Sequence, residues 1–420
     1  SAASDVYKRQ VLNMMLHFIV KSKLYNKDFI RDRTEGFDNF LKEIERQDVD
    51  HLAKVAGVDK QLVKEAAIAY ATAKNSMEFH GLGVTEHEQG SKTVMLIADL
   101  AMITGNIGRK GVGVNPLRGQ NNVQGAADMG CQPHQGAGYF EVADEKNQKF
   151  YSEKYGVTHP TKAGLKIPQM FDAAIKKEIK GIWIIGEDIV QTDPNSAHVV
   201  EAMNSLELLV VQEIFMSETA KLATVVLPGT TFLEKDGTFT NTERRVQRVN
   251  RAVPPLPGTK PDGVIVTDMM QKLGFNQPDY DADQVLAEIA DIVPFFKGIT
   301  RERLGKLGLQ WPVKEDGTDT KILHTEEFKL GKGRLKSFDW KESTEIKNNQ
   351  KDYPLILTTS RVLQHYNAAT MTRRTNNINI VNEDVLLIHP KDAADRDLNT
   401  GDIGRLYSGR GEVALKVEVT

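Results

Sequence analysis

Apolar residues recur at helical spacing through the first part of the chain. The most apolar stretch, Val11 to Val20, is interrupted by Asn13 and His17 and predicts a buried helix. Residues 11–74 are helical in pattern, with Leu62, Val63, Ala66, Ala69 and Tyr70 on one predicted face. A short strand is expected over 76–84, ending in Gly81-Leu82-Gly83. Val94, Ile97, Leu100 and Ala101 predict another amphipathic helix, stopped by Gly105-Asn106. From Gly108 to Gly138 the periodicity lapses. Eight glycines fall among 31 residues, mixed with Asn, Gln and two Arg, which marks a backbone-exposed, amide-rich segment rather than a core element.

Residues 165–227 alternate helix and strand. A helix near Met170–Lys177 leads into the apolar run Gly181–Ile185, a helix near Ala197–Ser205 into Leu206–Val211, and a third strand follows over Thr224–Leu227. Continuous apolar strands separated by helices predict a parallel sheet covered on both faces. Residues 229–262 read as irregular and polar, 263–310 as helices, and 312–350 as a charged insertion or linker. From Tyr353 onward the pattern is β-rich, with Leu355–Leu357, Val385–Ile388, Ile403–Tyr407 and Val413–Val417 as expected strands of a barrel-like domain. The predicted fold class is α/β. The expected units are 11–118, a second α/β unit over 119–335 with an irregular insertion at 229–262, a linker at 336–352, and a C-terminal β-domain over 353–420.

Composition narrows the function classes. With 420 residues, 40% hydrophobic and 26% charged, the chain can build two or three cores. A formal net charge of −3 leaves no basic excess for nucleic acid or an anionic membrane surface. No apolar run approaches the roughly 20 residues that span a bilayer. The single cysteine, Cys131, forms no internal disulfide and cannot by itself hold an iron–sulfur cluster; a small core residue is its ordinary role. Both ends read as cut. Asp5–Gln10 resembles translated adapter sequence, so residues 1–10 are set aside from fold reasoning.

Open α/β sheets bind ligands at the carboxyl ends of their strands. Two predicted strands end in polar clusters, Gly186-Glu187-Asp188 and Gln212-Glu213. Their carboxylates could accept hydrogen bonds from ribose hydroxyls or a guanine edge, or could simply cap helices. The usual glycine-rich dinucleotide and triphosphate cradles, paired zinc ligands and the hydrolase nucleophile elbow are all absent. The segment Val114–Asp128 is the richest in chemistry. Gly119 and Gly125 permit close backbone approach, and Arg118, between Pro116 and Gly119, is suited to clamp a carboxylate through two parallel N–H bonds. An ordinary surface arginine is the alternative. Thr358–Arg374 crowds hydroxyls, His365 and three guanidiniums into 17 residues after a predicted strand, which suits a polyanionic or heterocyclic ligand or else a solvated loop. Glu234–Arg245 is a third polar run, with a solvated face as the default expectation.

Asn115–Asp128, Glu218 through Gln247 and Thr358–Arg374 closely resemble the molybdopterin oxidoreductase superfamily, and within it the formate dehydrogenase catalytic subunits. The phrase Arg118-Gly-Gln-Asn-Asn-Val-Gln-Gly125 carries the branch and Glu234–Arg245 the wider superfamily; the resemblance spans about residues 11–420. It implies a double-psi barrel at the C-terminus, and a molybdenum or tungsten ion held by two molybdopterin guanine dinucleotides. It further implies a cysteine or selenocysteine metal ligand with a neighbouring histidine, and a [4Fe–4S] cluster, all in an N-terminal region upstream of this sequence. No metal ligand is expected within these residues.

Carried over by matching motif, Arg118 would orient formate. Leu82, Gly83 and Glu86 match a loop contacting one cofactor, although Glu86 stands where an amide is expected. Gln120 and Asn122 lie in the arginine motif as further cofactor contacts. Gly186, Glu187, Asp188, Thr192, Gln212 and Asp262 match a guanine-nucleotide site, with Glu213 replacing a more usual Asp and Gly263 a common Trp. Arg361, His365 and Asn367 match pterin contacts in the C-terminal domain; Cys131 and His134 have no counterpart role. The resemblance implies two-electron oxidation of formate to carbon dioxide or its reverse. Electron-transfer subunits, or a ferredoxin- or NAD-linked protein, would be the partners. A cytoplasmic location is expected, with a periplasmic one left open. Two alternatives stand: a sister oxidoreductase acting on nitrate or another oxyanion, and a non-catalytic homologue such as the respiratory complex I relative.

Overall fold

The computed structural model describes residues 8–420. Five helices open the described chain: α1 (Lys8–Lys21), α2 (Lys27–Arg33), α3 (Phe37–Glu45), α4 (Val49–Ala56) and α5 (Lys60–Thr72). Asp48 and Asp59 start α4 and α5 by accepting the first free backbone N–H groups, and Gly57 ends α4 in the left-handed conformation. The expectation that residues 1–10 are foreign falls largely outside the described residues. Lys8–Gln10 form the first turn of α1, with Arg9 and Gln10 buried.

Helix α1 is the central strut. Met14, Leu16, Ile19 and Val20 are buried, and the two polar interruptions are paired: Asn13 Nδ2 donates to the Phe338 carbonyl (3.0 Å), and His17 Nδ1 lies 2.9 Å from the Ile44 carbonyl. The face of α5 matches the predicted one only in Val63 and Tyr70. Val63, Ala67 and Tyr70 turn inward, whereas Leu62 is 65% exposed with Ala66 and Ala69 beside it. The two sets share the same spacing one residue apart, and packing on α1 selects between them.

Strand β1 (Met77–His80) leads through the short helix Leu82–Thr85 to α6 (Gly90–Ile103), whose Ile97, Leu100 and Ala101 are buried as the periodicity predicts, whereas Val94 is only half-buried and Leu96 is buried with them. Strand β2 (Gly113–Pro116) then pairs in parallel with β1, Met77 opposite Gly113 and His80 opposite Pro116. Helices α7 (Val123–Asp128) and α8 (Glu145–Tyr155) follow.

Helix α9 (Ile167–Ile175), β3 (Gly181–Ile185), α10 (Ser196–Asn204), β4 (Leu208–Glu213) and β5 (Val225–Pro228) build a three-stranded parallel sheet in the order β3-β4-β5. Phe171, Ala174, Val199, Ala202 and Met203 cover the face carrying Ile184, Leu209 and Val211. The opposite face is less covered than its apolar strands predict: Ile185, Leu208 and Val225 stay substantially exposed.

The segment read as irregular contains an antiparallel hairpin, β6 (Gly237–Thr240) and β7 (Arg245–Val249), extended by Leu309–Gln310 on β7. It packs with α12, after α11, in a core of Val246, Leu286, Ile292, Val293, Phe296 and Leu304; α11 is Asp262–Lys272 and α12 is Ala282–Ile292. Residues 328–339 return to the first helices. Gly333–Arg334 pairs in parallel with Thr34–Glu35, Leu335 is buried, and Phe328 and Phe338 pack on the α1 core.

The last sheet comprises β8 (Val385–Ile388), β9 (Ile403–Ser408) and β10 (Gly411–Val419), ordered β8-β10-β9 and mixed in direction. Leu355–Leu357 is not a strand. Its side chains are 43–61% exposed, and no described strand offers its backbone a ladder. Among the described residues this β-domain is a three-stranded sheet, not a closed barrel.

Candidate active site

Parallel pairing of β1 and β2 puts the loops after both strands on one side. The Leu117 amide continues the ladder to the His80 carbonyl (2.6 Å), which sets residues 117–122 against 81–86. A side chain at Gly119 would meet Leu82 Cδ1 at 3.6 Å, and one at Gly81 the Leu117 carbonyl at 3.7 Å. The hairpin joins from a third direction: Thr242 Oγ1 donates to the Pro116 carbonyl (2.7 Å) and accepts from the Arg118 amide (3.3 Å), while Asn122 Oδ1 accepts from the Thr240 amide (2.9 Å). Tyr366 of the C-terminal segment closes the ring, its hydroxyl donating to the Gly119 carbonyl (3.2 Å).

Arg118 stands at the centre of this convergence with an exposed side chain. Its Nε–H donates to Gln124 Oε1 (3.0 Å). Its two terminal nitrogens make no hydrogen bond among the described residues, so the edge of the guanidinium that can grip a carboxylate is available. Behind it lies buried His80. Its Nδ1 has no partner, and burial first, then the Arg118 charge, holds its pKa below the usual histidine range. Of the other loop residues, Leu82 is half-buried, Gly83 gives its carbonyl to His87 Nε2 (2.8 Å) and the Lys8 ammonium, and Glu86 and Gln120 are exposed.

The second cluster sits at the carboxyl ends of β3, β4 and β5. The Gly186 amide donates to the Gln212 carbonyl (2.9 Å) and the Gly229 amide to the Glu213 carbonyl (3.1 Å). Gly186 has φ +65°, the left-handed region, and nothing lies within 4 Å of where a Cβ would project. Gln212 Nε2 donates to Asp262 Oδ1 (2.7 Å), and Lys235 pairs with the other oxygen of Asp262. Two buried acceptors remain without partners here, Gln212 Oε1 and Thr230 Oγ1. Burial raises the Glu213 carboxyl above its ordinary range.

Asp188 is different. Its carboxylate, 5% exposed, takes bonds from the Thr219 amide (2.9 Å), Thr219 Oγ1 (2.7 Å) and Gln191 Nε2 (2.6 Å). It pins the loop after β3 to the start of the short helix Glu218–Lys221. Glu187 and Thr192, joined to each other at 2.6 Å, are exposed on that loop.

In the C-terminal segment, Arg361 donates to Asn367 Oδ1 (3.3 Å), and both are exposed. His365 is spent on the loop itself: Nε2 donates to the Val381 carbonyl (2.7 Å) and Nδ1 faces Thr372 Oγ1 (3.0 Å). The Arg374 guanidinium lies 4.7 Å over the Phe215 ring, which ties this segment to the loop after β4.

Sequence reasoning missed several groups. Glu234–Arg245 is not a solvated face: Glu234 is buried, and half-buried Arg244 donates to the Trp311 and Thr320 carbonyls with its guanidinium over the Trp311 ring. His80, Gln124 and Asp128 were not singled out. For Gln124 and Asp128 the spacing of four on a short helix was the available signal. Cys131 is exposed rather than in a core.

At the strand ends, Gln212 Oε1, Thr230 Oγ1 and the Asp262 carboxylate can accept from a polar ligand's donors, and the open backbone at Gly186 allows close approach. At the arginine loop, the free edge of Arg118 can bind an anion. Among the described residues no cluster of His, Cys, Asp and Glu is arranged to hold a metal by itself, and no helix is long and apolar enough to cross a membrane.

The chain is similar to known proteins over nearly its whole length. An F420-dependent formate dehydrogenase subunit alpha of Methanocaldococcus jannaschii is 42% identical over 430 residues, covering 99% of this chain and 63% of that protein. Formate dehydrogenase H of Escherichia coli K12 is 34% identical over 417 residues, covering 98% of this chain and 58% of that protein. The chain thus spans 58–63% of the lengths of these two relatives. Acetylene hydratase from Pelobacter acetylenicus shares the fold, with a TM-score of 0.71 at 19% identity over 99% of this chain and 61% of that one. Residues 10–272 match the Molybdopterin oxidoreductase family and residues 355–420 the Molydopterin dinucleotide binding domain, so the chain is a member of the molybdopterin oxidoreductase family.

Proposed function

We propose that this chain is the larger part of the catalytic subunit of a formate dehydrogenase carrying molybdenum or tungsten on two molybdopterin guanine dinucleotides. The reaction is formate to carbon dioxide with release of two electrons and one proton, or its reverse. When bound, the metal–pterin group supplies the two-electron chemistry. The protein's contribution is placement. Gln212, Asp262 and the open backbone at Gly186 would hold one nucleotide end, with Glu187 and Thr192 on the adjoining loop. Leu82, Gly83, Glu86, Gln120 and Asn122 would line the pterin region, and Arg361 and Asn367 would close it from the C-terminal side, on a loop whose shape His365 maintains. Asp188 would act through the loop it pins. Electrons would leave through a [4Fe–4S] cluster, and the metal's Cys or Sec ligand would be supplied, by residues outside this sequence. An electron-transfer subunit or a ferredoxin- or NAD-linked partner would receive the electrons, in the cytoplasm.

The observation that carries this reading is the free edge of Arg118 where the loops after β1 and β2 meet Tyr366. A bidentate guanidinium would fix both formate oxygens and leave its C–H facing the cofactor, and its charge would draw in the anion. Lysine keeps the charge and loses the second parallel bond. In the full-length holoenzyme, Arg118→Lys should cost about 2 kcal/mol of formate binding, roughly a 30-fold rise in KM. An unchanged KM would remove Arg118 from the substrate site. A panel of formate, nitrate and other oxyanions, run on the same preparation, tests the choice of substrate.

A further inference from the structure

The exposed arginine is tethered to a buried polar chain whose direction is fixed. Asp128, 0% exposed, accepts from Gln124 Nε2 (2.8 Å), from the Tyr139 hydroxyl (2.6 Å) and, on its other oxygen, from Trp311 Nε1 (2.8 Å). Gln124 Nε2 also faces the Tyr139 oxygen (2.9 Å). A carboxylate can only accept, so the –NH2 of Gln124 must turn toward it, and the amide oxygen must then point outward, where it receives Arg118 Nε–H. With the amide reversed, two donors would meet at Arg118 and a carbonyl would meet a carboxylate. Arg244, half-buried and stacked on Trp311, holds that indole in place and lends its charge to the buried carboxylate.

We infer that Gln124 and Asp128 are positioning residues that set the orientation of the Arg118 guanidinium, so that its two terminal nitrogens face the substrate. The inference rests on the reading of Arg118 as the formate-binding group. It adds what that reading lacks: a reason why a long, exposed side chain with costly rotamer freedom holds one orientation. Occupying Nε–H leaves only the Nη edge for the anion.

Three variants of the full-length, cofactor-loaded enzyme test this, with metal and pterin content measured in each. Gln124→Met keeps the volume and removes the outward acceptor. It should raise the formate KM by roughly tenfold, about 1.4 kcal/mol, with kcat less affected. Gln124→Glu gives a pH signature. Protonated, its hydroxyl donates to Asp128 and its carbonyl accepts from Arg118, as the amide does. Ionised, it repels Asp128 and cancels the Arg118 charge. The charged or titrating groups around it are Arg118, Asp128, Tyr139 and Arg244, with His80 behind Arg118. The variant's KM should therefore be near wild type at low pH and climb as pH rises, with a one-proton slope that wild type lacks. Arg118→Lys is the reference. If it raises KM while Gln124→Met does not, and Gln124→Glu follows the wild-type pH profile, the positioning role is overturned and the substrate reading survives. If Arg118→Lys leaves KM unchanged, the substrate reading fails and takes the inference with it. Should Gln124→Met fail to load cofactor, the pH profile of the near-isosteric Gln124→Glu decides alone.

Discussion

Asp188→Asn is a sharp test of whether the loop after β3 is held by one buried carboxylate. Asp188 Oδ1 accepts two bonds from Thr219, and Oδ2 accepts from Gln191 Nε2 at 2.6 Å and, more weakly, from the Glu218 amide at 3.4 Å. Asparagine has the same shape but one acceptor atom. If its oxygen keeps the Thr219 pair, its –NH2 faces the Gln191 donor, and one charge-assisted bond is lost beside a donor–donor contact. Bonds to charged groups are worth about 1.5–3 kcal/mol, so local opening of this corner should become easier by about 2 kcal/mol. That is roughly a 30-fold fall in protection against amide hydrogen exchange, confined to the two loops the carboxylate joins. Exchange followed by mass spectrometry on peptides spanning 187–192 and 217–222 reads this directly, with a peptide from α10 as the unaffected internal control. Protection within roughly threefold of wild type in both loops would refute the argument, because the bonds counted here would then contribute little.

Two further outcomes follow from buried groups elsewhere. Burial lifts the Asp99 carboxyl from the usual 3.8 to about 8, with one oxygen unpartnered and only the Lys336 backbone amide opposing the shift. Its raised pKa favours the protonated, folded form. Its contribution to stability is therefore complete below about pH 4 and is lost as pH rises through about 8. Asp99→Asn should flatten the fall in denaturant midpoint between about pH 4 and pH 8, and parallel wild-type and variant curves would count against it. Gly298 packs so tightly on the Lys314 carbonyl that an added Cβ would lie 1.7 Å from that oxygen. Gly298→Ala should thus cost about 3 kcal/mol or more and visibly lower the thermal midpoint, whereas an unchanged midpoint would show that the backbone there yields easily.

Local patterning made much of the architecture legible. The existence of α1 and α6, the three strands of the parallel sheet and the stop at Gly105-Asn106 all follow from periods of 3.6 or from short apolar runs, which neighbouring residues express by themselves. The residues around Arg118 are contiguous and can be read locally, but whether its guanidinium is a clamp or a surface group depends on where the loop lies. What tertiary structure decided is which surface each pattern meets. Val63, Ala67 and Tyr70, rather than Leu62, Ala66 and Ala69, face the core because α1 lies on that side. Leu355–Leu357 has strand-like residues but no described strand to pair with.

The same holds for the chemistry. Asp188 and Asp262 look alike in sequence, yet Thr219 comes to saturate the first, whereas the second reaches Gln212 and Lys235 beside unpaired acceptors. The chain Arg118–Gln124–Asp128 becomes directional only when Trp311, 183 residues away, closes on the carboxylate. Sequence alone set the inventory of groups and the local shapes that carry them. Folding decided their availability, because a polar side chain is free or spent according to the donors that distant segments bring within about 3 Å of it.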